Sequence, residues 1–367
     1  MIEICEIGDI DAERREVWAR LQQTRPELAS PFFSLEFTRA VANVCGDVRV
    51  AVIRDGGSVV GFLPFQHTSR QCAGPVASRI SEIQGAIVAE DTGWNAEEFL
   101  AAAGLSSWSF DCLPAWQDAL AKHAFCRDRS AFVDLSAGFD AYRARKRADG
   151  SKQIEQAERK ARKLQRDCGS IRFEFHTGRR EATEALFSWK SSQYQRTGTF
   201  DVFSLSWVRR LLHELGKHDS AEFAAIMSAL YVRDQIIAVH FGIRSRNVLA
   251  SWFPAYDPAY QRFSPGLILL THVLKALPEA GISRVDFGRG DERYKQSFLT
   301  GQFDVVEGTV DSRVLRRAMR RSWVAVRQWA ESTPVAQRPL QLVRGVRQLI
   351  ARREEAVHAG PAPPDHS

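Results

Sequence analysis

Short runs of alternating apolar and polar residues recur along the chain, each closed by turn residues. Arg49 to Arg54 reads as a strand, Asp55-Gly56-Gly57 as a turn, and Ser58 to Phe65 as the returning strand. A DG turn between apolar runs is a strong hairpin signal, because its backbone twist matches that of the paired strands. The pattern returns in the second half. Glu222 to Val232 holds a strand, Arg233-Asp234-Gln235 turns, Ile236 to Ile243 returns, and a third strand follows over Val248 to Pro254. A meander repeated at that distance predicts two copies of one unit, since the interval is far too long for a solenoid repeat.

Around the meanders the period lengthens to that of helices. Met1 to Ile7 reads as a first strand, followed by a helix to residue 20 with Val17, Trp18 and Leu21 on its apolar face. Pro26 and Pro31 interrupt, and Ser34 then caps a helix reaching Val44. Glu155 to Asp167 is helical, with a thin stripe of Ile154, Ala157, Ala161 and Leu164, and Ile171 to Phe175 alternates as a strand. Glu181 to Thr197 and Trp207 to Leu215 read as helices. The second half closes with a helix over Gly266 to Ala280, a strand over Val285 to Phe287, a turn at Gly288-Arg289-Gly290 and a last strand from Val305 to Val310.

A length of 367 residues, 44% of them hydrophobic, suits two domains of about 150 residues each. The formal charge of +6 is unevenly spread. Ala141 to Arg166 carries ten Lys or Arg against three acids, and residues 313–353 carry eleven arginines and one acid, Glu331. Pro334 and Pro339 break that tail into two helices, one with Leu342, Val346, Leu349 and Ile350 on a single face that can lie on an anionic membrane surface. The residues after Gly360 are disordered by composition. No apolar run of about 18 residues predicts a transmembrane helix, and the start lacks the marks of a signal peptide, so a cytoplasmic location is expected. The six cysteines form no CxxC pair and no finger spacing with histidine, so reduced, mostly buried thiols are expected. The nine histidines show no HExxH pattern, and no metal is expected.

Two stretches carry most of the candidate chemistry. In Trp252 to Leu270 a strand runs through a short polar loop into a helix, with Ser264 as cap, Pro265 in the first turn and Gly266 allowing close approach. Such a helix start suits a pyrophosphate, through its free N–H groups and its dipole. In Val285 to Phe298 a strand ends in a loop loaded with Asp286, Arg289, Asp291, Glu292, Arg293, Tyr294 and Lys295. Lys295 suits stabilisation of negative charge on a reacting carbonyl or phosphate, and Asp286 or His240 can accept a proton from an attacking amine or hydroxyl. His240 lies mid-strand, where a histidine is more often a hydrogen-bonded core residue. On the helix ending at Thr197-Gly198, Lys190, Tyr194 and Arg196 can contact an acceptor, together with Trp252 and Asp291.

Taken in order, these pieces resemble the CelD-like acetyltransferase family, a branch of the GNAT superfamily named for cellulose biosynthesis. The resemblance rests on the Lys/Arg-rich helix before Gly169, on Trp189-Lys190 through Thr197-Gly198, on Ser264-Pro265-Gly266-Leu267, and on Asp286-Phe287-Gly288 with Gly290 through Tyr294-Lys295. It covers residues 140–300 well and the first half more loosely. It implies acyl transfer from acetyl-CoA or another acyl-CoA to an amine or hydroxyl, on a small molecule or a saccharide. The pyrophosphate role then falls on Arg262, Phe263, Ser264, Gly266 and Leu267. Compared with the family's (Q/R)xxGx(G/A) pattern, Gln261-Arg262 is present, Pro265 removes one amide and only Gly266 remains. Tyr294-Lys295-x-x-Phe298 also looks like the Fem peptidyltransferases, which are tandem GNAT folds using aminoacyl-tRNA. That likeness places Lys295 near the transferred acyl group and supplies a competing donor. A non-catalytic, membrane-associated accessory protein is a third reading.

The expected fold class is therefore α/β (α+β), with two GNAT-like halves, each a mixed twisted sheet flanked by helices. The expected organisation is an N-terminal half over 1–140, a basic helical connector over 141–168, a catalytic half over 169–311, a basic helical tail over 312–353 and a disordered end over 354–367.

Overall fold

The computed structural model describes residues 1–89, 92–290 and 293–312, without the side chains of Arg79, Arg293 and Tyr294. The basic tail and the end of the chain, with the membrane face expected on them, lie outside the described residues. In chain order the elements begin β1 (Ile2–Cys5), α1 (Ala12–Leu21), α2 (Leu35–Cys45), β2 (Val48–Asp55), β3 (Ser58–Ser69), β4 (Cys72–Gly74) and β5 (Ile87–Val88). Then follow α3 (Ala96–Ala102), β6 (Ser107–Pro114), α4 (Asp118–Ala121), β7 (Ala124–Asp134), α5 (Phe139–Ala148), α6 (Gln153–Cys168) and β8 (Ile171–Glu174). The chain continues with α7 (Arg180–Thr197), α8 (Ser206–Leu215), β9 (Phe223–Val232), β10 (Gln235–Ser245), β11 (Val248–Tyr256) and α9 (Pro265–Ala276). The last elements are β12 (Arg284–Arg289), α10 (Arg293–Phe298) and β13 (Gly301–Asp311).

Two compact units result, and they do not follow chain order. One holds residues 1–21, 41–127 and 306–312; the other holds residues 22–40 and 128–305. The segment expected as a connector, 141–168, is α5 and α6 of the second unit, where Ile154 and Leu164 join the core.

In the first unit the sheet order is β1-β2-β3-β4-β6, with β5 beside β3. Every pair is antiparallel except β4 with β6, which are parallel and joined through α3. Phe65, Phe99 and Trp108 meet edge-on in its core, and Phe110 lies tilted against Trp108.

In the second unit the order is β7-β12-β11-β10-β9-β8, again antiparallel except for one parallel pair, β11 with β12, joined through α9. The meander, the helical crossover and the parallel neighbour thus occur once in each unit, which is the duplication that the repeated hairpin pattern predicts. A parallel pair needs such a crossover, because a tight turn cannot return the chain in the same direction.

All ten residues of β9 are buried. A strand buried on both faces needs cover on both. On one face α9 packs on β9, β10 and β11, with α6 beyond it. On the other, α7 packs on the same three strands. α6 satisfies the amphipathic expectation: Ile154, Ala157 and Leu164 face inward, while most of its Lys and Arg side chains stay in water. Ser34 caps α2 as expected, its Oγ accepting from the Phe37 amide at 3.1 Å.

Candidate active site

The parallel ladder between β11 and β12 lasts only three residue pairs, from Val248–Arg284 to Ala250–Asp286. Both strands continue, β11 to Tyr256 and β12 to Arg289. They part after Ala250, and a wedge opens between their C-terminal ends. The turn expected at Gly288 is instead strand, since β12 stays paired with β7 through Gly288–Ala131 and Arg289–Ser130 after a bulge. A crevice at the carboxyl ends of diverging strands is a natural ligand site in an open sheet.

A second irregularity sits beside the wedge. In the β10–β11 ladder Phe241 pairs with Phe253 but Gly242 pairs with Ser251, so Trp252 is the extra residue of a β-bulge. A bulge re-aims backbone amides and side chains out of the ladder. Trp252 stacks on Phe253 at 4.8 Å and meets Phe32 and Phe37 edge-on at 5.1 and 6.1 Å. The row continues from Phe253 to Phe203 at 4.9 Å and on to Tyr194 at 6.3 Å. At its end the Lys190 ammonium lies 5.4 Å from the Tyr194 ring and donates to Gln193 Oε1 at 3.2 Å. The structure thus joins Lys190, Tyr194 and Trp252 through one run of rings. Arg196 is exposed near the end of α7. Nothing in the sequence pattern marked Phe32, Phe37 or Phe203 for this row, because the contacts join segments far apart in the chain.

The start of α9 differs from the expected cap. Ser264 occupies the N-cap position in left-handed backbone, φ 52°, and its hydroxyl caps no amide. Lys160 on α6 instead donates to Ser264 Oγ at 2.5 Å. The first turn of α9 is therefore uncapped by its own serine and carries a lysine ammonium at its mouth, an anion-favouring combination. Gly266 is part-exposed there, and a Cβ on it would meet only Tyr256 Cδ1 at an ordinary 3.5 Å. The Phe263 ring is buried in the core, so that residue offers a ligand its backbone alone. Arg262 is exposed, with its guanidinium over the Phe263 ring at 4.6 Å, and Leu267 packs partly against the core. Lys160 belongs to the basic helix read from sequence, but its partner could be found only in the fold.

Asp286 and His240 do not form a pair. Val285 and Phe287 face the α9 core, so Asp286 between them points to the other side of the sheet. There Arg284 Nε donates to it at 2.7 Å, while the Arg284 guanidinium lies over Phe132 at 4.4 Å. Burial raises the Asp286 pKa, opposed by Arg284 and assisted by the charge of Glu27. His240 lies on the α9 side, with its ring near the position where a Gly242 Cβ would crowd Leu249. Its Nε2 shares a hydrogen bond with Ser251 Oγ at 2.8 Å, and its buried Nδ1 has no partner among the described residues. Burial lowers its pKa to about 4, which keeps the ring neutral. Lys295, on α10, is also buried, and its ammonium donates to the Arg289 carbonyl at the end of β12 at 2.8 Å. It thereby ties α10 to the rim of the wedge. Asp291 and the Tyr294 side chain lie outside the described residues.

Among the described residues no cluster of three His, Cys, Asp or Glu side chains can hold a metal ion, and no helix is long and apolar enough to cross a membrane. The six cysteines are free thiols, and contrary to the expectation of mostly buried ones only Cys5 and Cys112 are buried, the other four being part-exposed.

Residues 151–296, which span α6 to α10 and so include the wedge, match a family model described as an acetyltransferase (GNAT) domain. No curated protein matches the chain by sequence. Among solved structures, FemX aligns with a TM-score of 0.53 at 12% identity, covering 83% of this chain and 97% of that one. The C-terminal domain of an Agrobacterium fabrum protein named as a putative lysylphosphatidylglycerol synthetase aligns with a TM-score of 0.50 at 13% identity, covering 84% and 94%. A tandem GNAT protein of clavulanic acid biosynthesis aligns at 12% identity and a TM-score of 0.48, covering 85% and 98%. At these identities the likeness is one of fold.

Proposed function

We propose that the chain transfers an acyl group from acyl-CoA to an amine or hydroxyl acceptor, with the donor held at the wedge of the second unit. The observation that carries this reading is the joint geometry at the end of β11: diverging strands, a bulge at Trp252 and an uncapped helix start bearing Lys160. The pyrophosphate of coenzyme A suits the Gly266 amide, with Lys160 and Arg262 as cations, while the Leu267 amide donates to the Ser264 carbonyl at 3.0 Å. Its amide-rich pantetheine arm suits the wedge, where strand edges left by the parting ladder can take up hydrogen bonds. A backbone amide at the bulge, near Phe253, suits the developing oxyanion. Lys295 holds the rim, and Asp286, with its raised pKa, suits the role of the carboxylate that receives the acceptor's proton, with Arg284 bonded to it. The part-exposed Tyr194, with Lys190 beside it, favours an acceptor such as a saccharide, and the buried rings of Phe203, Phe253 and Trp252 support that position from behind. The resemblance to the cellulose-associated branch points the same way, toward polysaccharide or envelope synthesis.

Calorimetric titration with coenzyme A and acetyl-CoA tests the donor. Micromolar binding is expected, and no detectable heat with either would overturn the reading in favour of aminoacyl-tRNA, the donor of the Fem-like alternative, or of a non-catalytic role. Lys160→Met should weaken coenzyme A about tenfold, the loss of one charge-assisted contact, while leaving the affinity for pantetheine, which carries no phosphate, unchanged. Equal loss for pantetheine would show that Lys160 acts on the fold rather than on the phosphates.

A further inference from the structure

A groove in the second unit lies apart from the wedge, between the start of α7, the end of α8 and strand β9. Its volume is about 630 Å³, within the range of small-molecule sites. Phe187, Leu212, Ala225, Met227 and Phe241 give it an apolar floor, all of them buried. Its rim holds four cations, Arg179, Arg180, Arg209 and Lys217, and two imidazoles, His176 and His213, against one lining acid, Glu184. Glu184 is already paired with Arg180 at 2.8 Å, and Lys217 with Glu214.

Among the described residues, Arg179 and Arg209 have no carboxylate partner. The Arg179 guanidinium stands 5.4 Å from the Tyr231 ring, and Arg209 stands 5.3 Å from Phe187 while its Nε donates to the Phe203 carbonyl at 2.6 Å. His176 Nδ1 accepts from the Met227 amide at 3.2 Å, so in the neutral ring the proton sits on Nε2, which is fixed as a donor. Cations at the rim of a concave apolar floor give it a positive potential, which favours an anion.

We propose that this groove is a second ligand site, for a molecule that bears a phosphate or similar anionic group on an apolar body. The anion sits among Arg179, Lys217 and His176, and the apolar body lies over Phe187, Leu212 and Met227. The site does not depend on the acyl-CoA reading. It is nonetheless close to the wedge: Phe187 is 5.3 Å from Phe203, which is 4.9 Å from Phe253 on β11. Phe241 of the groove's floor also pairs with Phe253 beside the bulge and lies 6.2 Å from the Trp252 ring.

Octyl phosphate is the probe, titrated calorimetrically into the full chain at low ionic strength. Measurable binding is expected, at least about tenfold tighter than that of inorganic phosphate or octanol, because each lacks one half of the match. The double variant R179E/K217E reverses two exposed charges and should weaken binding at least about tenfold. Thr183→Trp should do the same by filling the groove while leaving every charge in place. Gly266→Trp, at the other site, should leave octyl phosphate affinity unchanged. The proposal is overturned if octyl phosphate does not bind, if inorganic phosphate binds as tightly, or if the charge reversal and the plug both leave the affinity intact. Loss of binding in Gly266→Trp would also overturn it, by assigning the probe to the donor site. Flotation with phosphatidylglycerol vesicles then separates two sources of the same chemistry. Flotation lost in R179E/K217E supports the site with a bilayer lipid as ligand, and flotation insensitive to it supports the site with a soluble molecule.

Discussion

Gly266→Trp is expected to weaken acetyl-CoA binding by about a hundredfold or more, with the melting temperature within a few degrees of wild type. The two halves of that expectation have separate causes. Gly266 is part-exposed in the first turn of α9, and its Cβ position is open apart from an ordinary contact with Tyr256, so the fold tolerates a side chain. A bulky side chain there covers the helix start, where a phosphate would approach the Gly266 amide and Lys160. Removing two charge-assisted hydrogen bonds of about 1.5–3 kcal/mol each accounts for a hundredfold loss or more. Gly266→Ala is the internal control and should change the affinity only a few-fold, since a methyl group reaches no further than Tyr256. Calorimetry on both variants decides it. A tryptophan variant that binds acetyl-CoA like wild type would place the donor elsewhere.

The second large effect concerns stability in mild acid. His240 is fully enclosed in the sheet of the second unit, and burial lowers its pKa from 6.5 to about 4. Because the native value lies below the unfolded one, the unfolded chain takes up its proton first as the pH falls. The stability tied to the neutral ring is complete above pH 6.5 and is lost progressively as the pH falls toward 4. A depression of that size corresponds to about 3 kcal/mol, a sizeable part of the stability of an ordinary domain. His240→Gln keeps a polar group near Ser251 Oγ and removes the titration. Urea unfolding at about pH 7 and about pH 4.5, on either side of most of that titration, should therefore show a steeper loss in wild type than in His240→Gln. Parallel losses in the two proteins would mean that His240 is solvated or charged in the folded state. A ring held neutral and hydrogen-bonded to Ser251 on the α9 face is first of all part of the core. This is why the proposed mechanism gives proton acceptance to Asp286.

Strand, turn and helix are legible in the sequence wherever the hydrophobic period is carried by contiguous residues. The hairpin of β2 and β3, its counterpart in β9 and β10, and the stripe on α6 each sit within a few residues of the positions that the pattern predicts. The repeated hairpin also announces the duplication, since a period-two pattern closed by turn residues implies the same local fold wherever it occurs. The stretch between Phe65 and Phe139 gives no such signal at β4 and β5, which are only three and two residues long and carry too few positions to show a period.

Local rules alone were enough to establish that the chain is α/β, that its meander occurs twice, and which two stretches hold the reactive side chains. Period, turn residues and helix-start residues each act over a handful of positions. Everything that brings those stretches together came from the packing of the folded chain. It placed residues 22–40 in the second unit, so that Phe32 and Phe37 meet Trp252. It put Lys160 rather than a backbone amide on Ser264, and it turned His240 and Asp286 to opposite faces of one sheet. It ended the β11–β12 ladder after three pairs and so opened the wedge. Each of these outcomes depends on register and packing between segments distant in the chain, and a one-residue change in register would move every side chain involved to the other face.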